Sequence, residues 1–245
     1  MSALAYARFE LRRTLRNGRF LSFALGFPLV LFFLIAGPQR DEHDLSGSGL
    51  SAPVFYMVSM AAWGTMMSML STGARIAGER AVGWNRQLRI TPLSARSYLA
   101  TKVATAYAMA LLAMLSLYVA GAILGVRLEA GRWILMSLLI LVGLVPFAAL
   151  GVLLGHAVSV DSVGPAMGGG VGILAFVSGF WFPLDQGSFL YDLGRQLPSY
   201  WLVQAGHVGL GGDGWPTHAW IVLVAWTVVL TALAARAYRR DTGRQ

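Results

Sequence analysis

Few side chains of this sequence have the types and spacing that covalent chemistry requires. Cysteine is absent, which excludes thiolate metal sites and cysteine nucleophiles. Neither the HExxH pattern of zinc proteases nor the GxxxxGK(S/T) loop that cradles nucleotide phosphates occurs. The four histidines are scattered, and no spacing offers the acid and base that a protease inside the membrane would need. The sequence therefore predicts no catalytic residue, no metal ligand and no cofactor held by this chain.

A charged stretch, residues 75–102, is the part of the sequence best suited to binding a partner. Apolar residues recur there at roughly helical spacing among charged and amide side chains, which indicates a short amphipathic helix. Pro92 ends that helix, and Ser94 is placed to cap the next one. A helix of this size cannot form a catalytic domain, but it can dock into a groove of a soluble protein.

The rest of the chain must position this stretch, and its composition is that of an integral membrane protein. Hydrophobic residues make up 56% of the 245 residues and charged residues only 12%, with a mean hydropathy of +0.62. Soluble domains carry about 25% charged residues. A soluble enzyme, a disordered tail and a nucleic-acid-binding protein are therefore excluded. The basic pI of about 10.4 is explained by basic residues that lie between long apolar runs.

Six uncharged runs predict six transmembrane helices and an all-α membrane protein. Each run reaches the roughly 17–25 residues that a bilayer core of about 30 Å requires. The predicted spans cover residues 20–38, 52–73, 99–125, 133–157, 162–183 and 218–238. Pro28 and Pro146 lie inside spans and predict kinks there.

The segments outside the spans predict the orientation. Fifteen of the 19 Lys and Arg residues fall in residues 1–19, 75–102 and 236–245, and four fall in the opposite loops. The positive-inside rule then places both termini and the 75–98 connection in the cytoplasm of a bacterial cell, with the chain in its plasma membrane. Residues 1–19 predict an interfacial helix whose arginines meet lipid phosphates. Residues 185–217 predict two short external helices that dip into the outer leaflet or cap the bundle.

Two spans carry patterns with both a packing and a functional interpretation. The second span is rich in methionine, which suits ordinary packing or a surface that accepts varied apolar ligands. The candidates for a substrate path are Met57, Met60, Met66 and Met67. The fifth span has two overlapping GxxxG spacings, which predict close helix packing or, more sharply, an interface with a second copy. These glycines are Gly164, Gly168 and Gly172.

The 75–98 connection resembles the permease subunits of the ABC-2 type exporter family, which includes daunorubicin-type and sodium-exporting systems. Residues 79–83 (ERAVG) and 87–94 (QLRITPLS) are similar to the family's E-R-x-x-G-T and L-L-x-T-P-(V/L)-S patterns. Trp84 stands where the family usually has threonine. Residues 182–184 (FPL) and 197–201 (LPSYW) are similar to the paired-proline region before the last span. The resemblance covers essentially the whole chain.

The resemblance implies partners that supply the energy. Two such permeases, identical or related, would form one translocation unit, and two separate cytoplasmic ATPase subunits would bind ATP and magnesium. The residues that it implies for ATPase docking, on a coupling helix in the 75–98 connection, are Glu79, Arg80, Gly83, Trp84, Gln87, Leu88 and Pro92. The uncharged runs themselves, residues 20–39, 45–74, 103–126, 133–155, 162–184 and 219–235, contain no charged residue or histidine, which favours ATP hydrolysis over an ion gradient.

Two functions from different classes follow from the same docking segment. The first is export of a hydrophobic or amphipathic compound such as a drug, an antibiotic or a lipid-like molecule. The alternative is a membrane sensor or immunity subunit that relays ligand binding to a docked cytoplasmic partner without net transport. In both, Glu79 is expected to meet a cationic or amide group of the partner, and Leu88 is expected to fill an apolar part of its groove.

Overall fold

A computed structural model describes residues 3–45, 49–84, 94–209 and 214–242, and the regular elements of these ranges are all helical. In chain order the helices are α1 (Ala3–Leu15), α2 (Gly18–Leu21), α3 (Phe27–Ala36), α4 (Ala52–Ala81), α5 (Ala95–Ile123), α6 (Ala130–Gly143), α7 (Val145–Ala157), α8 (Val160–Pro165), α9 (Val171–Val177), α10 (Phe189–Gly194), α11 (Pro198–Gly209) and α12 (Thr217–Thr242). One π-helical turn joins α2 to α3 (Ser22–Gly26) and another joins α8 to α9 (Ala166–Gly170). The prediction of an all-α membrane protein is confirmed.

Five helical stretches of the described chain are long and apolar enough to cross a bilayer. They are α4, α5, the α6–α7 pair, the α8–α9 segment with its π-turn, and α12. These correspond to the second to sixth predicted spans. The first predicted span, residues 20–38, is helical as α2, the π-turn and α3, but its apolar helical part, Ala24–Ala36, is shorter than the other five.

Helix α4 forms the centre of the bundle. Of the residues in its 18-residue apolar stretch, 94% are buried inside the chain, whereas only 17% are buried in the corresponding stretch of α8–α9. Helices α5, α7 and α11 pack around α4, and α12 packs against α7. The outer helices therefore present apolar side chains outward, as a protein surrounded by lipid does.

Small residues allow α4 and α7 to approach closely. A side chain at Gly151 would place its Cβ 2.5 Å from the carbonyl oxygen of Met69, and one at Gly73 would lie 2.7 Å from the carbonyl oxygen of Gly151. A Cβ at Gly155 would lie 2.6 Å from that of Ile76. Glycine at these positions is a condition of the packing, as at other close helix crossings in membranes.

Several predicted boundaries can be compared with the structure. The helix of the fourth span is interrupted at Leu144, two residues before Pro146, where the sequence predicted a kink. The Ser94 hydroxyl accepts a hydrogen bond from the backbone N–H of Ser97 at 3.1 Å, which makes Ser94 the predicted cap of α5. Helix α4 continues past residue 73, the predicted end of the second span, through Ala81. This extension carries the charged residues Arg75, Glu79 and Arg80, which lower its hydropathy.

The predicted pair of short helices after the fifth span is present. Helix α10 begins at Ser188, whose hydroxyl accepts a hydrogen bond from the backbone N–H of Tyr191 at 3.1 Å. Helix α11 begins at Pro198, a position where the missing N–H of proline costs nothing. Helix α11 packs against α6 and α4, and α10 packs against α9.

Candidate functional site

Three helices meet beside the 75–98 connection, at the end of the bundle opposite α10 and α11. Helix α1 contributes Glu10, the last turns of α4 contribute Glu79, and the first turns of α5 contribute Lys102. The side chain of Lys102 is 0% exposed, that of Glu10 is 1% exposed and that of Glu79 is 2% exposed. Charged side chains are almost never buried this fully unless they are paired.

The Lys102 ammonium bridges the two carboxylates. Its Nζ donates a hydrogen bond of 2.6 Å to Glu10 Oε1 and one of 2.5 Å to Glu79 Oε1. Arg13 donates to Glu79 Oε1 at 2.8 Å, and the Tyr98 hydroxyl donates to Glu79 Oε2 at 2.7 Å. These five residues form what we call the buried ion network. It joins α1, α4 and α5 through charge-assisted hydrogen bonds, the strong class of such bonds.

Aromatic side chains seal the buried ion network. The rings of Tyr6 and Tyr98 lie with centroids 6.0 Å apart, and Trp84 packs on them together with Ile76. The Tyr6 hydroxyl has no hydrogen-bond partner among the described residues. Burial raises the pKa of the Tyr6 phenol, and the negative charges of Glu79 and Glu10 raise it further. The phenol therefore stays neutral at physiological pH.

A second group of polar contacts joins the same ends of α4, α7 and α12. Arg80 donates to Asp241 at 2.7 Å and to the backbone carbonyl of Gly155 at 2.9 Å. His156 Nδ1 lies 3.1 Å from the other Asp241 oxygen, and its ring packs edge-on against Tyr238. The last span is thus tied to the end of α4 one residue after Glu79.

The structure places Glu79 and Arg80 in contacts within the chain. Both carboxylate oxygens of Glu79 accept hydrogen bonds from side chains of the chain, and Arg80 is paired with Asp241. Gly83 follows α4 in the left-handed conformation, with φ of +70°. Trp84 is half-buried against Tyr6, Ile76 and Tyr98. The ATPase-docking roles of these four residues stay predictions.

The remaining docking candidates, Gln87, Leu88 and Pro92, lie outside the described residues. Directly before them, Val82 is 77% exposed at the tip of α4. An apolar side chain this exposed beside the predicted docking residues is a further docking candidate that sequence reasoning missed, because valine in an apolar chain carries no signal of its own.

The methionines of the proposed substrate path lie in the core. Met57, Met60 and Met66 are 0% exposed and belong to the main hydrophobic cluster, and Met67 is half-buried against that cluster. Their burial agrees with the first interpretation of the methionine-rich span, ordinary packing. A role for these residues in a substrate path would require α4 to become exposed to the cargo.

The glycines of the fifth span are open. Side chains built at Gly164, Gly168 and Gly172 would meet no other atom within 4 Å. The close packing inside one chain that these spacings predict is instead made by Gly73, Gly151 and Gly155. The predicted interface with a second copy has the exposed glycine surface that it needs.

Sequence reasoning missed the buried ion network although two signals pointed to it. Lys102 is the single lysine of the chain, and it stands at the start of a long apolar run. Glu10 is the single acidic residue among the many arginines of residues 1–19. An isolated charge next to a span is expensive unless it is paired, so each charge predicted a partner of opposite sign.

The fold and the site define a multi-pass helical membrane protein whose charged machinery lies at one end of its bundle. Comparison with known proteins makes this specific. Residues 38–236 match the profile of the ABC-2 family transporter proteins, so the chain belongs to that family and is a subunit of a membrane transporter. It is also 27% identical over 239 residues to a Bacillus subtilis (strain 168) protein named "Putative transport permease YvfS", which covers 94% of each chain. The family resemblance of the 75–98 connection is confirmed.

Proposed function

We propose that this chain is the membrane-spanning permease subunit of an ATP-driven exporter that moves a hydrophobic or amphipathic compound out of the cell. Two cytoplasmic ATPase subunits dock at Val82 and at the sequence that follows it, residues 85–93, which together we call the docking segment. A second permease completes the translocation unit and packs on the exposed glycines Gly164 and Gly168. Both termini lie in the cytoplasm.

The buried ion network is the observation that carries this proposal. It connects the two ends of the docking segment, because Glu79 before the segment is hydrogen-bonded to Tyr98 and Lys102 after it. A force applied to the docking segment therefore acts on the ends of α4 and α5 together, and through Glu10 on α1. Rigid links of this kind are what a conformational signal from a nucleotide-hydrolysing partner requires.

The position of the charges supports ATP as the energy source. Among the described residues, the buried carboxylates Glu10 and Glu79 and the buried ammonium of Lys102 lie at the end of the bundle and are paired with one another. Ion-driven transporters instead place ionisable groups along the path near the bilayer centre. The apolar outer helices suit a cargo that enters from the membrane.

The docking part of the proposal is tested by Val82→Glu. A charge at this exposed apolar tip should reduce recovery of the co-expressed ATPase about tenfold or more, since a loss of about 1.4 kcal/mol in binding is a factor of ten. Co-purification at matched permease expression provides the measurement. Val160→Glu is the matched control, because Val160 is an exposed valine (45%) at the first residue of α8 and is not part of the docking segment. Equal loss in both variants would contradict the assignment of the docking segment.

Transport itself separates the exporter from the sensor. Permease and ATPase reconstituted in vesicles should show ATP hydrolysis that is stimulated by an amphipathic compound, together with ATP-dependent movement of that compound across the bilayer. Stimulated hydrolysis without movement would favour the sensor. The Val82→Glu complex supplies the negative control, since it should lose stimulation while the permease stays folded.

A further inference from the structure

A cavity of about 520 Å³ opens at the end of the bundle opposite the docking segment. It lies between the first turns of α4, the turn after α9, and helices α10 and α11. Its volume is within the roughly 300–1,000 Å³ typical of small-molecule sites. Its wall includes the polar and charged residues Asp185, Gln186, Arg195 and Gln204 and the aromatic residues Tyr191, Tyr200 and Trp201. The predicted topology places the cavity outside the cell.

Arg195 is the charged group of the cavity wall that stands against aromatic rings. Its guanidinium lies 5.3 Å from the centre of the Tyr191 ring, in a cation–π contact. None of the ion pairs of the described residues includes Arg195. Of the other arginines at this end, Arg40 and Arg132 each lie beside a carboxylate, and Arg127 donates to the backbone carbonyls of Ala122 and Val126. A half-buried guanidinium on an aromatic face, without a carboxylate partner, is suited to a planar anion.

The wall around Arg195 is fixed in advance. The Trp201 indole N–H donates to the Arg195 backbone carbonyl at 3.1 Å, which holds the turn that carries the guanidinium. The Tyr200 and Trp201 rings meet edge to face with centroids 5.0 Å apart. Behind them, the buried hydroxyls of Ser178 and Ser199 are hydrogen-bonded at 2.6 Å. A preformed wall of this kind spares a ligand part of the entropic cost of binding.

We propose that this cavity binds an amphipathic anion, with its carboxylate or phosphate on Arg195 and its apolar body against Tyr191, Tyr200 and Trp201. The amides of Gln186 and Gln204 can hydrogen-bond to the same head group. Asp185 stands at the exposed rim and is the opposing charge of the cavity wall, so a ligand with a single negative charge is favoured over one with two. An exported compound on release and a lipid head group both carry this chemistry.

The proposal is tested by titrating 2-naphthoate into the isolated permease in phosphatidylcholine nanodiscs, with calorimetry as the readout. Naphthoate should bind saturably and at least tenfold more tightly than uncharged 2-naphthamide. Arg195→Gln should weaken naphthoate binding at least tenfold, and Arg195→Lys should retain part of the affinity. Arg132→Gln is the matched control, since it removes an arginine from the same end but outside the cavity, and it should bind like the original chain.

Replacing part of the phosphatidylcholine by phosphatidylglycerol distinguishes the two sources of the anion. If naphthoate binds more weakly in these discs, and if this effect of phosphatidylglycerol is lost in Arg195→Gln, the cavity is assigned to a lipid head group. Unchanged binding assigns it to a soluble or exported amphiphile. Absent binding, equal affinity for naphthoate and naphthamide, or binding that Arg195→Gln does not alter would each overturn the proposal.

A second readout covers the case in which Arg195→Gln fails to fold. Because the chain has no cysteine, Gln186→Cys places a unique thiol in the cavity wall. Naphthoate should slow its modification by a maleimide at least threefold, whereas naphthamide should not, and equal rates with and without naphthoate would also overturn the proposal. Both experiments use the permease alone in discs that expose both faces, so their outcome is independent of ATPase docking and of the assigned topology.

Discussion

Lys102 is a charged residue with no exposure, and its environment explains how a membrane protein can hold it. The Born cost of burying a single charge is of the order of 20 kcal/mol before relaxation, which no isolated ammonium could offset. Two carboxylates at hydrogen-bond distance, themselves bound by Arg13 and Tyr98, reduce that cost. A pair of this kind adds little to stability compared with apolar side chains, but it makes the three helices depend on each other.

The first prediction concerns this dependence. Lys102→Met leaves two buried carboxylates close together, with the Arg13 and Arg75 guanidiniums still nearby but without the ammonium that bridges them, and it should destabilise the permease by about 3–5 kcal/mol. Adding Glu10→Gln to Lys102→Met removes one of the uncompensated charges and should recover part of the loss. Thermal unfolding in nanodiscs of fixed lipid composition measures both effects.

An exposed ion pair provides the control for Lys102. Arg132 and Glu129 approach to 3.7 Å with side chains that are 39% and 82% exposed. Such pairs contribute about 0–1 kcal/mol, so Arg132→Met should change the unfolding temperature little. If Lys102→Met proved as mild as Arg132→Met, the buried ion network would not hold the helices together.

At the scale of elements, the hydrophobic pattern predicted most of the fold. Five predicted spans exist as long apolar helices, and the cap at Ser94, the break before Pro146 and the pair α10–α11 occur as expected. These features depend on local chemistry, which a sequence displays directly. The sequence did not predict that α4 extends to Ala81. The last turns of this helix are stabilised by Lys102, Asp241 and other residues that are distant in sequence.

The contacts of the candidate site were predicted less well for the same reason. The sequence did not predict that Glu79 pairs with Lys102 or that Arg80 pairs with Asp241. Nothing in the spacing of residues 79–94 reveals contacts to residues 10, 102 or 241. The GxxxG spacing of the fifth span is open within one chain, whereas Gly151 and Gly155, which have the same spacing in α7, lie close to α4 together with Gly73.

The second prediction compares two glycines. Gly151→Ala places a methyl group 2.5 Å from the backbone oxygen of Met69, and because backbone cannot move aside cheaply, it should destabilise the permease by about 1–3 kcal/mol. Gly164→Ala adds the same atoms where no atom lies within 4 Å and should be neutral or slightly stabilising. Thermal unfolding of both variants in the same discs tests this. A loss at Gly164 equal to that at Gly151 would argue against the packing of α4 on α7.

The whole molecule has one end that is rich in arginine and another that carries α10, α11 and the cavity. The distribution of basic residues predicts that the first end faces the cytoplasm. The structure contributes a matched pair of sites for testing this, since Ser94 caps α5 at one end and Ser188 caps α10 at the other.

The third prediction uses these two caps. In intact cells, an impermeant maleimide should modify Ser188→Cys and leave Ser94→Cys unmodified until the cells are permeabilised. The absence of native cysteine gives a clean background, and loss of a capping hydroxyl costs both variants a similar 0.5–2 kcal/mol or so. Labelling of Ser94→Cys alone before permeabilisation would reverse the orientation and place the cavity in the cytoplasm.

Assembly is the remaining property of the whole molecule. Of the five long apolar helical stretches, the fifth span is the least covered by other parts of its own chain. Its apolar window is only 17% buried, and its glycines leave a smooth strip that no described residue of the same chain covers. Without a hydrophobic driving force in lipid, helices associate where small residues let backbones approach. A second permease seated on this strip would gain close contacts that lipid chains supply less well.

The fourth prediction is that Gly164→Leu and Gly168→Leu disrupt pairing of the permeases while each chain remains folded. A leucine side chain at either position would begin in open space within one chain. It should therefore interfere with the packing of a second permease and not with the fold of its own chain. Gly131→Leu in the first turn of α6 is the matched control, because Gly131 is exposed and equally open but lies away from the strip. Mass photometry of nanodisc-embedded protein should show a dimer fraction reduced several-fold in the first two variants and unchanged in the third. A dimer fraction that survives Gly164→Leu would remove the fifth span from the interface, leaving the short first span, with its π-turn at Ser22–Gly26, as the surface to examine next.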